Sequence, residues 1–229
     1  MRKAQTRWLT VGFVSLSALA AATSSALAAN CTVAGAYTGE FGGDASGSIG
    51  LVFSAGGESV SGVAVLPNGN TPPLNGTVNT AASPVSASGG VGPGSFSGAI
   101  FGSIYSGSYR TPNAEGFIFT SRVNNVDNPA SRVTAEASNG DTIAFASNMG
   151  GDVTGVVLDS NLAQKDTFSG TLSGGSLSAS TGSGQLSGTV NLDQGTFSGS
   201  LGGNNVSGSA CQLAGMFGAG SVDFDDQVD

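Results

Sequence analysis

A five-residue unit that recurs along the chain constrains the fold more than any other feature. The unit starts with a large apolar residue, usually continues with Ser-Gly, and closes on another apolar residue, as in Phe197-Ser-Gly-Ser-Leu201. Near the C-terminus, successive units start 9, 9, 11 and 9 residues apart. The units lie at 168–172, 177–181, 186–190, 197–201 and 206–210, and earlier ones lie at 60–64, 74–78, 96–100 and 105–109. This regularity separates the chain from a Gly/Ser-rich linker.

The unit has the alternation of a half-buried β-strand. Side chains of a strand point to opposite faces in turn, so positions one, three and five share one face. That face carries apolar residues around a central glycine, while Ser, Thr or Asn occupies the other face. Gly- and Asn-rich segments such as Gly202-Gly-Asn-Asn205 separate the units and suit tight hairpin turns. The pattern therefore predicts an antiparallel meander of short strands.

This all-β meander is predicted to close as an up-and-down barrel or to fold as a two-layer sandwich. Units of about five to seven residues are shorter than the strands of about 9 to 11 residues in a transmembrane barrel. A calcium-binding nonapeptide solenoid needs an Asp in each turn, and only Asp193 falls in the C-terminal repeats. The glycine at the centre of each inward face either permits tight coiling or leaves room for a ligand.

The N-terminus has the pattern of a cleavable secretory signal peptide over residues 1–28. A basic segment, an apolar segment and an Ala-Leu-Ala cleavage site at 26–28 follow one another. In an exported chain, the two cysteines, Cys31 and Cys211, are predicted to form a disulfide. Lipid modification of Cys31 is the alternative, although Asn30 stands where lipoprotein signals carry a small residue. We expect a secreted, periplasmic or cell-surface protein.

We predict one all-β domain over residues 29–222 and an acidic tail over 223–229. The sequence leaves open a second arrangement, in which two similar small barrels or sheets meet near residue 130. Residues 111–130 contain two prolines and four asparagines, so this stretch is predicted to be a long loop. Strands are predicted to resume at 131–137, 142–147 and 153–158.

Charge and residue inventory exclude several functions. Three of the seven basic residues lie in the signal peptide, which leaves four against 15 acidic residues, a net charge of −11. Such a chain is not an electrostatic nucleic-acid binder. The chain has no histidine, and Lys165 is its only lysine after the signal peptide, which removes most general bases for a nucleophile. We therefore predict a non-enzymatic protein without a metal, a cofactor or a membrane span.

The segment 107–115, Gly-Ser-Tyr-Arg-Thr-Pro-Asn-Ala-Glu, follows two Ser-Gly units and precedes Phe117-Ile-Phe119. It resembles the strand-closing motif of the transferrin-binding-protein-like bacterial surface β-barrels, over about 25 residues from Phe96 to Thr120. The resemblance implies an eight-stranded surface barrel that binds a host protein or a haem-related ligand. The ligand-binding residues expected on this basis are Tyr105, Tyr109, Pro112, Asn113 and Glu115.

Two functions follow as hypotheses. The first is a barrel that binds a protein or a small hydrophobic ligand at the cell surface. The second is a structural or adhesive protein that associates with itself through the edges of its sheets. A closed monomer is expected of the first, and concentration-dependent assembly of the second.

Overall fold

The computed structural model describes residues 31–213, which form two closed antiparallel barrels of eight strands each. The predicted all-β antiparallel fold is confirmed. The region predicted as a single domain thus contains two barrels, joined by residues 123–128. The predicted signal peptide and acidic tail lie outside the described residues. Within residues 31–213, no helix is long and apolar enough to cross a membrane.

Both barrels are meanders in which each strand pairs with the next and the last strand pairs with the first. Barrel 1 consists of β1 (Gly35–Gly43), β2 (Gly47–Phe53), β3 (Ser59–Val65), β4 (Pro73–Asn79), β5 (Ser86–Val91), β6 (Gly94–Phe101), β7 (Ile104–Thr111) and β8 (Ala114–Arg122). Barrel 2 consists of β9 (Pro129–Ala137), β10 (Thr142–Asn148), β11 (Asp152–Leu158), β12 (Gln164–Ser173), β13 (Ser176–Thr181), β14 (Gly184–Asn191), β15 (Thr196–Leu201) and β16 (Asn204–Gln212).

The prediction of a long loop over residues 111–130 is wrong. Residues 114–122 of this stretch form β8, which pairs with β7 on one side and with β1 on the other. Ile118, Thr120 and Arg122 alternate into the barrel and are buried. Since β8 closes barrel 1, its backbone is paired with a neighbouring strand on both sides. This pairing stabilises a strand here despite the polar composition of the sequence. The strands predicted at 131–137, 142–147 and 153–158 are confirmed as β9, β10 and β11.

Side chains alternate across the barrel walls as the repeated unit predicts. In β16, Val206 and Ala210 are buried in barrel 2, whereas Ser207 is exposed. The interior of barrel 2 is filled by aromatic rings, with Phe145 in edge-to-face contact with Phe168 and Phe197 at centroid distances of 6.2 and 5.4 Å. Each barrel therefore has its own apolar core.

Glycines on the inner faces bring neighbouring strands close together. Several of them are direct cross-strand partners, as are Gly98 and Gly107. A Cβ added at Gly107 would lie 2.4 Å from the carbonyl oxygen of Ser97 and 2.8 Å from the Tyr105 hydroxyl. The ring of Tyr105 thus fills the space that the missing side chains leave. Of the two roles considered for these glycines, tight coiling and packing is confirmed.

Side-chain packing, a hydrogen bond and a disulfide join the two barrels. Leu162, in the loop between β11 and β12, packs directly over Gly50 of β2, where an added Cβ would lie 2.4 Å from the Leu162 Cβ. The backbone N–H of Ala55 donates to Thr134 Oγ1 at 2.9 Å. The predicted disulfide is confirmed: Cys31, in a short helical turn before β1, is bonded to Cys211 in β16. The bond therefore ties the entry to barrel 1 to the last strand of barrel 2.

Removing this disulfide is expected to destabilise the protein. The loop it closes spans 180 residues, so the double variant Cys31→Ala/Cys211→Ala should lose about 2–5 kcal/mol of unfolding free energy. Urea denaturation of the oxidised wild type and of the variant measures the difference. Reducing agent should lower the stability of the wild type and leave the variant unchanged; equal stabilities without reductant would contradict the prediction.

Two adjacent glycines of β5 provide a test of the close approach between strands. An alanine Cβ at Gly89 would lie 2.1 Å from the carbonyl oxygen of Asn75, whereas one at Gly90 would meet only the Gly94 carbonyl oxygen at 3.8 Å. Gly89→Ala is expected to cost about 1–3 kcal/mol through overpacking. Gly90→Ala is expected to be neutral or to stabilise by about 0.4–1 kcal/mol. Urea denaturation compares the two, and equal effects would contradict the analysis.

Candidate functional site: an apolar pocket in barrel 1

A pocket of about 170 Å³ lies at one end of barrel 1. Four turns surround it, those between β1 and β2, β3 and β4, β5 and β6, and β7 and β8. Its lining is almost entirely apolar and consists of Phe41, Ala45, Ile49, Ala64, Leu66, Pro72, Leu74, Val91, Pro93, Tyr109, Thr111, Ala114 and Ile118. Every strand of barrel 1 except β6 contributes side chains from the part that lies nearest to this end.

Tyr109 is the predicted site residue that lines the pocket. Its hydroxyl donates to the carbonyl oxygen of Ala45 at 2.8 Å and accepts the Ala45 N–H at 3.1 Å. The ring packs edge-to-face on Phe41 at a centroid distance of 5.6 Å. Both hydroxyl bonds fasten the turn between β1 and β2 to the barrel wall. The pocket therefore presents the ring of Tyr109, with its polar group already engaged.

Tyr105 lies deeper in barrel 1 and does not line the pocket. It is fully buried, packs against Phe53 at a centroid distance of 5.8 Å, and its hydroxyl has no hydrogen-bond partner among the described residues. Burial raises the pKa of Tyr105 above its ordinary value. The side chain therefore belongs to the core as a neutral group.

The other predicted residues lie at the rim. Pro112 and Asn113 form the exposed turn between β7 and β8. Glu115 is exposed, and its carboxylate lies 3.7 Å from Nε of Arg110, an exposed pair that contributes little stability. The Glu115 N–H donates to the Asp44 carboxylate at 3.2 Å, which joins two of the turns around the pocket. The structure thus brings Tyr109 and the 112–115 turn together at this end, apart from Tyr105.

Most of the lining was not predicted from the sequence. Phe41, Leu66 and Ile118 come from three different strands or loops, and only closure of the barrel places them around one space. The available signal was the pair Pro72 and Pro93, because they lie in alternate inter-strand segments, which fall at the same end of a meander, and proline does not continue a strand ladder. These two prolines lie at the same end of the barrel and both line the pocket.

In barrel 2, Phe145 and Phe197 occupy the interior at the level of the aromatic core. A depression of about 350 Å³ at one of its ends is lined by strand ends and turns, including Asn148, Gly151 and Gly174. Within residues 31–213, no group of three or more His, Cys, Asp or Glu side chains could hold a metal ion. The barrel 1 pocket thus has a more apolar lining than this depression.

Comparison with family models, with curated proteins and with solved structures found no match to this chain. The resemblance to transferrin-binding-protein-like barrels therefore stays a prediction. The functional argument starts from the geometry of the pocket itself.

Removing the hydroxyl is expected to affect the unfolding free energy differently at Tyr109 and at Tyr105. Tyr109→Phe removes both hydrogen bonds to Ala45 and is expected to cost about 1 kcal/mol. Tyr105→Phe removes a buried hydroxyl without a partner and is expected to be neutral or stabilising. Urea denaturation of both variants provides the comparison; a larger loss for Tyr105→Phe would show that this hydroxyl has a partner in solution.

Proposed function

We propose that the protein is a non-enzymatic, exported binding protein whose barrel 1 pocket holds a small apolar molecule. The observation that carries this proposal is a concave, apolar site with its one tyrosine hydroxyl already bonded to backbone. Ligand sites are typically apolar clefts of this kind, placed among others in the mouths of β-barrels. An apolar ligand would meet no unpaired polar group from the Tyr109 side chain.

The volume of the pocket sets the size of the ligand. About 170 Å³ is close to the roughly 150 Å³ of an engineered apolar cavity that binds benzene. It lies below the range of about 300–1,000 Å³ that is usual for drug-sized ligands. The proposal therefore specifies a ligand of about the size of a single aromatic ring or the end of an alkyl chain. The pocket, as it stands, is too small for a haem-sized macrocycle.

The chemistry of the lining supports a binding role rather than catalysis. Among the described residues that line the pocket, only Tyr109 carries an ionisable group. A catalytic site would need groups positioned to transfer protons or to attack a substrate. Export is supported by the disulfide between Cys31 and Cys211, since such bonds persist in oxidising compartments.

The alternative, self-assembly through sheet edges, requires strands with an unpaired side. In the described part of the chain, each of the 16 strands has two hydrogen-bonded neighbours. Association would then have to use the outer faces, where Phe117 and Phe119 of β8 are more than half exposed. Because these two rings are exposed, association of two copies through the outer face of β8 is the second candidate function.

Benzene and 1-hexanol are suitable probes of the pocket. We expect each to produce saturable shifts of the methyl NMR signals of Ile49, Leu74 and Ile118 in the mature protein, because these side chains line or border the site. Ala114→Leu, which adds three carbon atoms at the mouth, should weaken binding at least tenfold. Ala99→Leu, on the outer face of β6, adds the same atoms away from the pocket and should leave binding unchanged.

Absence of saturable shifts with both probes, or binding that Ala114→Leu does not weaken, would overturn the proposal. Light scattering on the same samples over a hundredfold concentration range tests the second candidate. The binding role predicts a monomer throughout. Oligomers that disappear in Phe117→Ser/Phe119→Ser would favour association through the outer face.

A further inference from the structure

Two arginines are buried where the barrels meet. Arg122 ends β8 at the end of barrel 1 opposite to the apolar pocket, and Arg132 lies in β9 of barrel 2. Only 7% of Arg122 and 4% of Arg132 is exposed to solvent. Together they are half of the four basic residues that follow the predicted signal peptide. Charged side chains are almost never buried to this degree unless they are paired.

Arg122 has neutral partners. Its Nη2 donates to the carbonyl oxygens of Thr32 and Gly102 at 2.7 and 3.2 Å, and its Nε donates to the Tyr37 hydroxyl at 3.0 Å. Its guanidinium carbon also lies 5.0 Å from the centroid of the Tyr37 ring. These contacts satisfy hydrogen-bonding groups and position the side chain. None of them supplies a negative charge.

Arg132 lacks even neutral partners at two of its nitrogens. Nε and Nη1 are buried and have no acceptor among the described residues. The ionisable groups that act on Arg132 are Arg122 and Tyr37. Burial raises the pKa of Tyr37, so its hydroxyl is neutral at pH 7. Burial, with the charge of Arg122, lowers the pKa of Arg132 to about 10, so Arg132 is still protonated at pH 7.

Two buried positive charges without a counter-charge are energetically unfavourable. Each loses hydration, and each raises the electrostatic energy of the other in a medium of low dielectric constant. An arginine binds carboxylates and inorganic oxyanions through its planar set of N–H donors. An oxyanion beside Arg132 would therefore supply both the missing acceptor and the missing charge.

We propose that the junction between the barrels is an anion site, in which Arg132 binds a small oxyanion and Arg122 adds to the positive field. This site is separate from the apolar pocket and does not depend on the proposed ligand. The chemistry is that of a single carboxylate or an inorganic oxyanion such as phosphate. Its role is structural, because the anion neutralises two positive charges that are buried where the barrels meet.

The oxyanion has two possible sources. One is a free ion, and the other is a carboxylate of the acidic segment 223–229 of the same chain. The N–H of Leu213 donates to the carbonyl oxygen of Ala130, two residues before Arg132. The chain thus leaves the described structure beside the strand that carries Arg132. Asp223 follows ten residues later, a span of up to about 33–36 Å.

The experiment measures the melting temperature of the full mature chain while phosphate is added at low ionic strength. Four proteins are compared: the wild type, Arg132→Met, the exposed-arginine control Arg110→Met, and Asp223→Asn/Asp225→Asn/Asp226→Asn. Whichever protein responds, the wild type or the triple Asn variant, should show a saturable rise of about 5 °C at high occupancy. When introduced into that protein, Arg110→Met should leave the rise intact and Arg132→Met should abolish it. Replacing a buried unpaired charge by an apolar residue is usually tolerated, so Arg132→Met should fold.

The two sources give different results. A free ion predicts a saturable rise in the wild type and an equal rise in the triple Asn variant. The tail carboxylate predicts a wild type that does not respond, and a triple variant that melts lower and regains stability with phosphate. No saturable response in either protein, or an equal response in Arg132→Met, would overturn the proposal.

A second measurement does not depend on any variant at Arg132. The arginine Nε–H signals of the wild type and the triple Asn variant are followed by ¹H–¹⁵N NMR as phosphate is added. At least one of the two proteins should show a solvent-protected Nε–H signal that shifts with the same midpoint as the melting curve. Unchanged signals in both proteins would overturn the proposal independently of the stability data.

Discussion

The close approach of strand backbones at inward-facing glycines is the constraint on which both barrels depend. Gly98 faces Gly107 and Gly188 faces Gly199 as direct partners across neighbouring strands. A side chain at these positions would collide with the backbone of the next strand. Aromatic rings such as Tyr105 fold over the glycines and fill the interior instead. The high glycine content is thus a packing requirement of narrow barrels rather than a sign of disorder.

The same rule of construction gives two barrels with different interiors. In barrel 2, three phenylalanine rings meet near the centre and fill the core. In barrel 1, aromatic residues are distributed between the two ends: Tyr37 packs with Phe53, and Phe41 packs with Tyr109. Space remains beside Phe41 and Tyr109, and this space, together with the surrounding turns, forms the apolar pocket. The two interiors differ because the large side chains occupy different positions in repeats of similar pattern.

Several buried polar groups lie at the junction of the two barrels. The disulfide, the neutral partners of Arg122 and the unpartnered nitrogens of Arg132 all lie where barrel 1 ends and barrel 2 begins. A purely apolar contact, such as that between Leu162 and Gly50, would hold the barrels together without fixing a unique arrangement. Buried charges cost stability, but they make the interface sensitive to what neutralises them. The apolar pocket and the junction are therefore separate features, at opposite ends of barrel 1.

The sequence by itself determined the strand class, the faces of each strand and the disulfide, because period-two alternation and two cysteines in a chain predicted to be exported leave few alternatives. It also grouped Tyr109 with the 112–115 turn, and the structure places both at the pocket end of barrel 1. Only the tertiary structure decided that two barrels form, that residues 114–122 are a closing strand, and that Tyr105 is core. Those outcomes depend on pairing between strands distant in the chain, as between β1 and β8. Local pattern carries no information about which distant strand supplies the partner.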